Sequence, residues 1–105
     1  MPELSVESGV CGFNTVIRTC TEDMQTVSID YQTTCPNAAK AHHELKKVDA
    51  FVELFKKPHD TVVYAALSRH LPHAACPLYS GFLKAVEAAA GLALKKDVSM
   101  RFSQA

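Results

Sequence analysis

No stretch of this 105-residue sequence approaches the ~20 apolar residues that cross a bilayer, so no membrane-spanning helix is expected and a membrane is not the expected partner. The opening segment MPELSVESGV carries acids and lacks a basic start followed by an apolar run, unlike a secretory leader, and a cytoplasmic location is expected. Charge of one sign is missing too: 11 Lys plus Arg balance 11 Asp plus Glu. Without a basic face to neutralise phosphates, nucleic acid is not the expected partner. The lysines, at Lys40, Lys46-Lys47, Lys56-Lys57 and Lys95-Lys96, are scattered and read as solvated helix ends and turns. There is no internal repeat or linker, and the length suits one domain spanning residues 1–105.

Catalytic signatures are equally scarce. No G-x-S-x-G, P-loop or dinucleotide glycine fingerprint occurs. AHHELKK resembles a zinc-protease helix only superficially, because Lys46 and Lys47 stand four residues after His42 and His43. No CxxC is present, which removes the thioredoxin type of redox motif.

What is present is 48% hydrophobic residues, enough for a packed core, and 4 cysteines. In a reducing compartment these are thiols or ligands rather than disulfides. CGFNTVIRTC and MQTVSIDYQTTC read as two strands about the turn TED, with Glu22 and Asp23 as turn residues. Val27, Ile29 and Tyr31 alternate with polar neighbours, the period of a half-buried strand. A three-residue loop, Glu22-Asp23-Met24, pairs Ile17 with Ile29, Thr15 with Tyr31 and Phe13 with Thr33, and sets Cys11 opposite Cys35. Cys20 then falls on the other face.

Pro36 suits a first helical position, and Ala38, Ala41, Leu45 and Val48 follow at helical spacing. DAFVELFKK forms a second helix capped by Asp49. A third, capped by Asp60, carries Val63, Leu67, His70 and Leu71 on one stripe and stops at Pro72. The last begins at Pro77, buries Tyr79, Phe82, Leu83, Val86 and Ala90, and stops at Gly91. Val98, Met100 and Phe102 alternate as a third strand. The expectation is an α+β fold in the order ββααααβ, a hairpin and a C-terminal strand forming a small antiparallel sheet with about four helices on one face.

TCP and ACP share a device, a cysteine just before the proline that opens a helix. Free N–H groups and the helix dipole favour thiolate there, lowering the expected pKa of Cys35 and Cys76 unless burial opposes it. Cys11, Cys35 and Cys76, with His73 from the H-x-x-C segment as fourth donor, match tetrahedral zinc, and three thiolates also suit an iron–sulfur cluster. Gly12, beside Cys11, permits close backbone approach to such a group. His70 competes with His73 for the fourth place. Two other chemistries stay open: small buried apolar cysteines, or a thiol enzyme or redox sensor with Cys76 as nucleophile and His70 or His73 as base. A homodimer through the exposed edge of the sheet is a further possibility.

The segments CGF, H-x-x-C-P, LKAVE and GLAL-x-x-D-V, together with a cysteine closing the second strand, resemble a family of small bacterial and archaeal proteins of unknown function. The likeness runs from Cys11 to Phe102. It implies one α+β domain whose cysteines and H-x-x-C-P segment are candidate site residues, and it implies no particular activity, substrate or cofactor.

Overall fold

The computed structural model describes residues 2–104. Four strands, β1 (Glu3–Glu7), β2 (Asn14–Thr21), β3 (Thr26–Thr33) and β4 (Lys47–Asp49), form one antiparallel sheet in the order β1-β2-β3-β4. Helices α1 (Pro36–Lys40), α2 (Ala50–Glu53), α3 (Val62–Ser68) and α4 (Leu78–Ala89) complete the α+β fold. The longest, α4, has 12 residues, and no described helix is long and apolar enough to cross a membrane.

The strands interleave with the helices, so the expected order ββααααβ is wrong at both ends. Val98–Phe102 is not a strand: Val98, Met100 and Phe102 are all exposed, so their alternation has no core to face. The strand that joins the hairpin beside β2 is β1, whose Leu4 and Val6 are half-buried while Glu3, Ser5 and Glu7 face water. The expected first helix also stops early. Val48, read as its last turn, belongs to β4 and pairs with Val27. Ala38, Ala41, Leu45 and Val48 are nonetheless all buried, because a short helix, a turn and a strand each turn the same residues inward.

The β2–β3 register differs from expectation by two residues. Ile17 faces Tyr31, Thr15 faces Thr33 and Thr19 faces Ile29. The loop holds four residues, 22–25, rather than three, since Asp23 accepts hydrogen bonds from the Gln25 and Thr26 amides and Met24 adopts φ 60°. A shift of two keeps every side chain on its own face. Ile17, Val27, Ile29 and Tyr31 are therefore buried, and Cys20 is exposed as expected.

Helix α4 lies on β1, β2 and β3 and buries Leu78, Phe82 and Val86, while α3 packs beside it. The two polar groups of the buried sheet face are satisfied: Thr19 Oγ1 donates to the Ala85 carbonyl at 2.9 Å, and the Thr15 and Thr33 hydroxyls meet at 2.7 Å. Asp49 caps α2 through the Phe51 and Val52 amides, as anticipated. The cap of α3 is Thr61 rather than Asp60, whose residue closes a 3₁₀ turn opened by Pro58.

At the far end of α4, the Gly91 amide donates to the Ala88 carbonyl and the Leu92 amide to that of Glu87, the paired hydrogen bonds of a left-handed C-terminal cap. Gly91 has φ 74°, and a Cβ there would lie 2.5 Å from Met24 Cε. The methionine tip can move aside, whereas the backbone penalty cannot be relieved. Gly91→Ala is expected to cost about 1–2 kcal/mol in denaturant unfolding, and a neutral result would show that α4 ends differently.

Candidate functional site

The β1–β2 hairpin, the entrance to α1 and the loop leading into α4 meet at one end of the sheet around a cavity of about 300 Å³. Cys11, Cys35, His73 and Cys76 all border it. Phe13, Leu71, Pro72 and Ala75 supply apolar wall, and Ser8 and Asn37 supply polar groups.

Each cysteine arrives by a different local device. Cys11 sits in the hairpin turn, where the Gly12 amide donates to the Gly9 carbonyl at 2.8 Å and the Ser8 amide to that of Phe13 at 3.0 Å. It is not brought in by strand pairing with Cys35, as the register had suggested, because β2 starts only at Asn14. Gly12 serves this turn with φ 74°, and a Cβ there would meet nothing within 4 Å.

Cys35 is the N-cap of α1, with Pro36 at the first helical position, and its Sγ accepts from the Ala38 amide at 3.4 Å. The Cys35 amide in turn donates to Thr33 Oγ1, so the residue is held on both sides. Cys76 stands immediately before Pro77, which is itself the N-cap of α4. Both cysteines are half-buried, and Cys11 is exposed.

At Cys76 the helix-entrance effect loses. Burial pushes its thiol above the usual range, opposed by a hydrogen bond from the Leu78 amide and reinforced by the nearby Cys35 and Cys11 sulfurs. The placement does yield the expected backbone donor, but desolvation outweighs it. The net push at Cys76 is toward the neutral thiol.

His73 lies at the exposed rim. His70 does not border the cavity. Its Nε2 meets Glu44 Oε2 at 2.5 Å, while Arg69 holds Glu44 Oε1 at 2.6 Å through Nε. These two bonds, the His70 one first, hold the Glu44 carboxyl below the usual range. The clamp ties the start of the loop carrying His73 and Cys76 to the turn after α1. Nothing in the sequence pattern exposed this pairing, since its members are 26 positions apart. His42, half-buried, meets Asp30 at 3.2 Å, and His43 is exposed; neither borders the cavity.

As placed, no three His, Cys, Asp or Glu side chains among the described residues are arranged to hold a single metal ion. The sulfurs share a cavity without converging on one point. A family model described as a family of unknown function, DUF6951, matches residues 2–102. The chain belongs to the DUF6951 family. No curated protein and no solved structure matches it.

Proposed function

We propose that the chain binds a metal cofactor through the thiolates of Cys11, Cys35 and Cys76. The observation that carries this reading is that three thiols from three separate segments border one largely apolar cavity. Three thiols on the border of one cavity have no packing advantage over alanine or valine, and metal ligation is a chemistry that uses all three together. His73, at the rim, is the one imidazole among the residues that line the cavity.

The alternative of a reactive thiol has less support. A cysteine nucleophile wants a base in hydrogen-bonding reach; His70 is engaged by Glu44 and does not border the cavity, and His73, which does, makes no hydrogen bond to Cys76. In the metal-bound form the three thiols lose their protons to solvent, so binding weakens as pH falls.

The test is the metal content of protein purified without air. Metal is expected in the wild-type chain and expected to be lost in Cys76→Ser, while Cys20→Ser, altered on the exposed face, retains it. Metal-free wild-type protein whose unfolding is indifferent to chelators would refute the reading.

A further inference from the structure

The proposed site leaves open whether one ion or several occupy it, and two properties of the cavity bear on that. Zinc holds sulfur at about 2.3 Å, which gathers tetrahedral donors to within about 3.8 Å of one another and leaves no void between them. Here no three donors among the described residues are gathered for a single ion, yet the three thiols ring a cavity of about 300 Å³. Thiols spread around such a space suit a cofactor whose own atoms fill it and whose separate metal atoms each take one sulfur.

Building on the metal-binding reading, we propose that the occupant is a [4Fe–4S] cluster held by Cys11, Cys35 and Cys76, one thiolate to each of three irons. The fourth iron is left to His73 or to a ligand from outside the protein. Three thiols suffice for three irons of a four-iron cluster, whereas a two-iron cluster would need His73 as an obligatory fourth donor. Phe13, Leu71 and Pro72 form the wall that keeps water from the bridging sulfides, which is how proteins tune such centres. Cys11 and His73, both exposed, mark the open side through which a cluster enters.

Loading is a ligand exchange without electron transfer. Each protein thiol gives its proton to a departing small thiolate, its sulfur bonds to one iron of a preassembled [4Fe–4S]²⁺ core, and the bond from that iron to the small ligand breaks.

The experiment incubates the full chain, without air, with a synthetic [4Fe–4S] cluster carrying 2-mercaptoethanol ligands, followed by desalting. The expected result is about four irons and four sulfides per chain, with broad visible absorption that dithionite bleaches. Cys11→Ser, Cys35→Ser and Cys76→Ser should each lose it, and Cys20→Ser should keep it. Serine at position 35 still offers an oxygen to the Ala38 amide, so that variant keeps its helix cap, and circular dichroism checks its fold. Two irons per chain, or zinc at one equivalent lost from the same three variants, would overturn the cluster while leaving the metal site standing. Failure to hold iron or zinc under any loading condition would overturn both.

Discussion

Phe82→Ala is expected to lower the unfolding free energy by about 4 kcal/mol, among the largest effects of any single truncation in this chain. Phe82 is fully buried on the face of α4 that meets the sheet, at 0% exposure. Its ring stands edge-to-face on Tyr31, with centroids 4.9 Å apart and planes at 81°. Tyr31 cannot follow the retreating side chain, because its hydroxyl donates to the Ala38 carbonyl at 2.8 Å. The cavity therefore stays open, and its full cost is felt. Phe82→Leu, which refills most of the volume, should lose less than half as much. Chemical denaturation of both variants measures the pair. A loss under about 1 kcal/mol for alanine would mean that α4 does not dock on the sheet in this way. Because α4 starts two residues after Cys76, this docking also fixes where that thiol stands.

The fold was legible where burial enforces periodicity. Val27, Ile29 and Tyr31 announce a strand with one wet face, and Tyr79, Phe82 and Val86 announce the inner stripe of α4. Short elements were not legible. β1 has only Leu4 and Val6 to mark it, and β4 is three residues long, so neither carries a pattern that its flanks do not swamp. Val98–Phe102 has the better alternation and stays outside the sheet, because a pattern states which residues share a face and not whether a core waits for them. The candidate site was legible in composition and misread in mechanism. All four expected ligands border one cavity, yet Cys11 comes by a turn and not by a strand pair, and burial at Cys76 overcomes the helix entrance. What no local pattern could show is the long-range polar clamp of Glu44 on Arg69 and His70, since its charges carry no periodicity.

The same blindness hid Glu53, read only as part of a helix, and its replacement gives the second large effect. Glu53 is 2% exposed, and its carboxylate accepts from the Val62 amide at 2.9 Å and the Val63 amide at 2.7 Å. It closes the first turn of α3 from a separate helix, beside the Thr61 hydroxyl that takes the Tyr64 amide. Glu53→Ala removes two hydrogen bonds to a charged acceptor and leaves the buried Val63 amide without a partner. The expected loss is about 3 kcal/mol. Glu53→Gln keeps one carbonyl acceptor and turns an NH₂ toward the other amide, so it should lose about half of that. Native-state hydrogen exchange distinguishes this from a general loosening: the amides of Val62–Ser68 should open first in the alanine variant, ahead of those in β2 and β3. Uniform loss of protection across the sheet would contradict a local cap. The consequence reaches the cavity, because α3 runs directly into Arg69 and His70, whose grip on Glu44 holds the loop bearing His73 and Cys76. On the proposed cluster reading, a frayed α3 weakens cofactor retention without removing any sulfur, and iron content in Glu53→Ala is expected to fall between those of the wild type and Cys76→Ser.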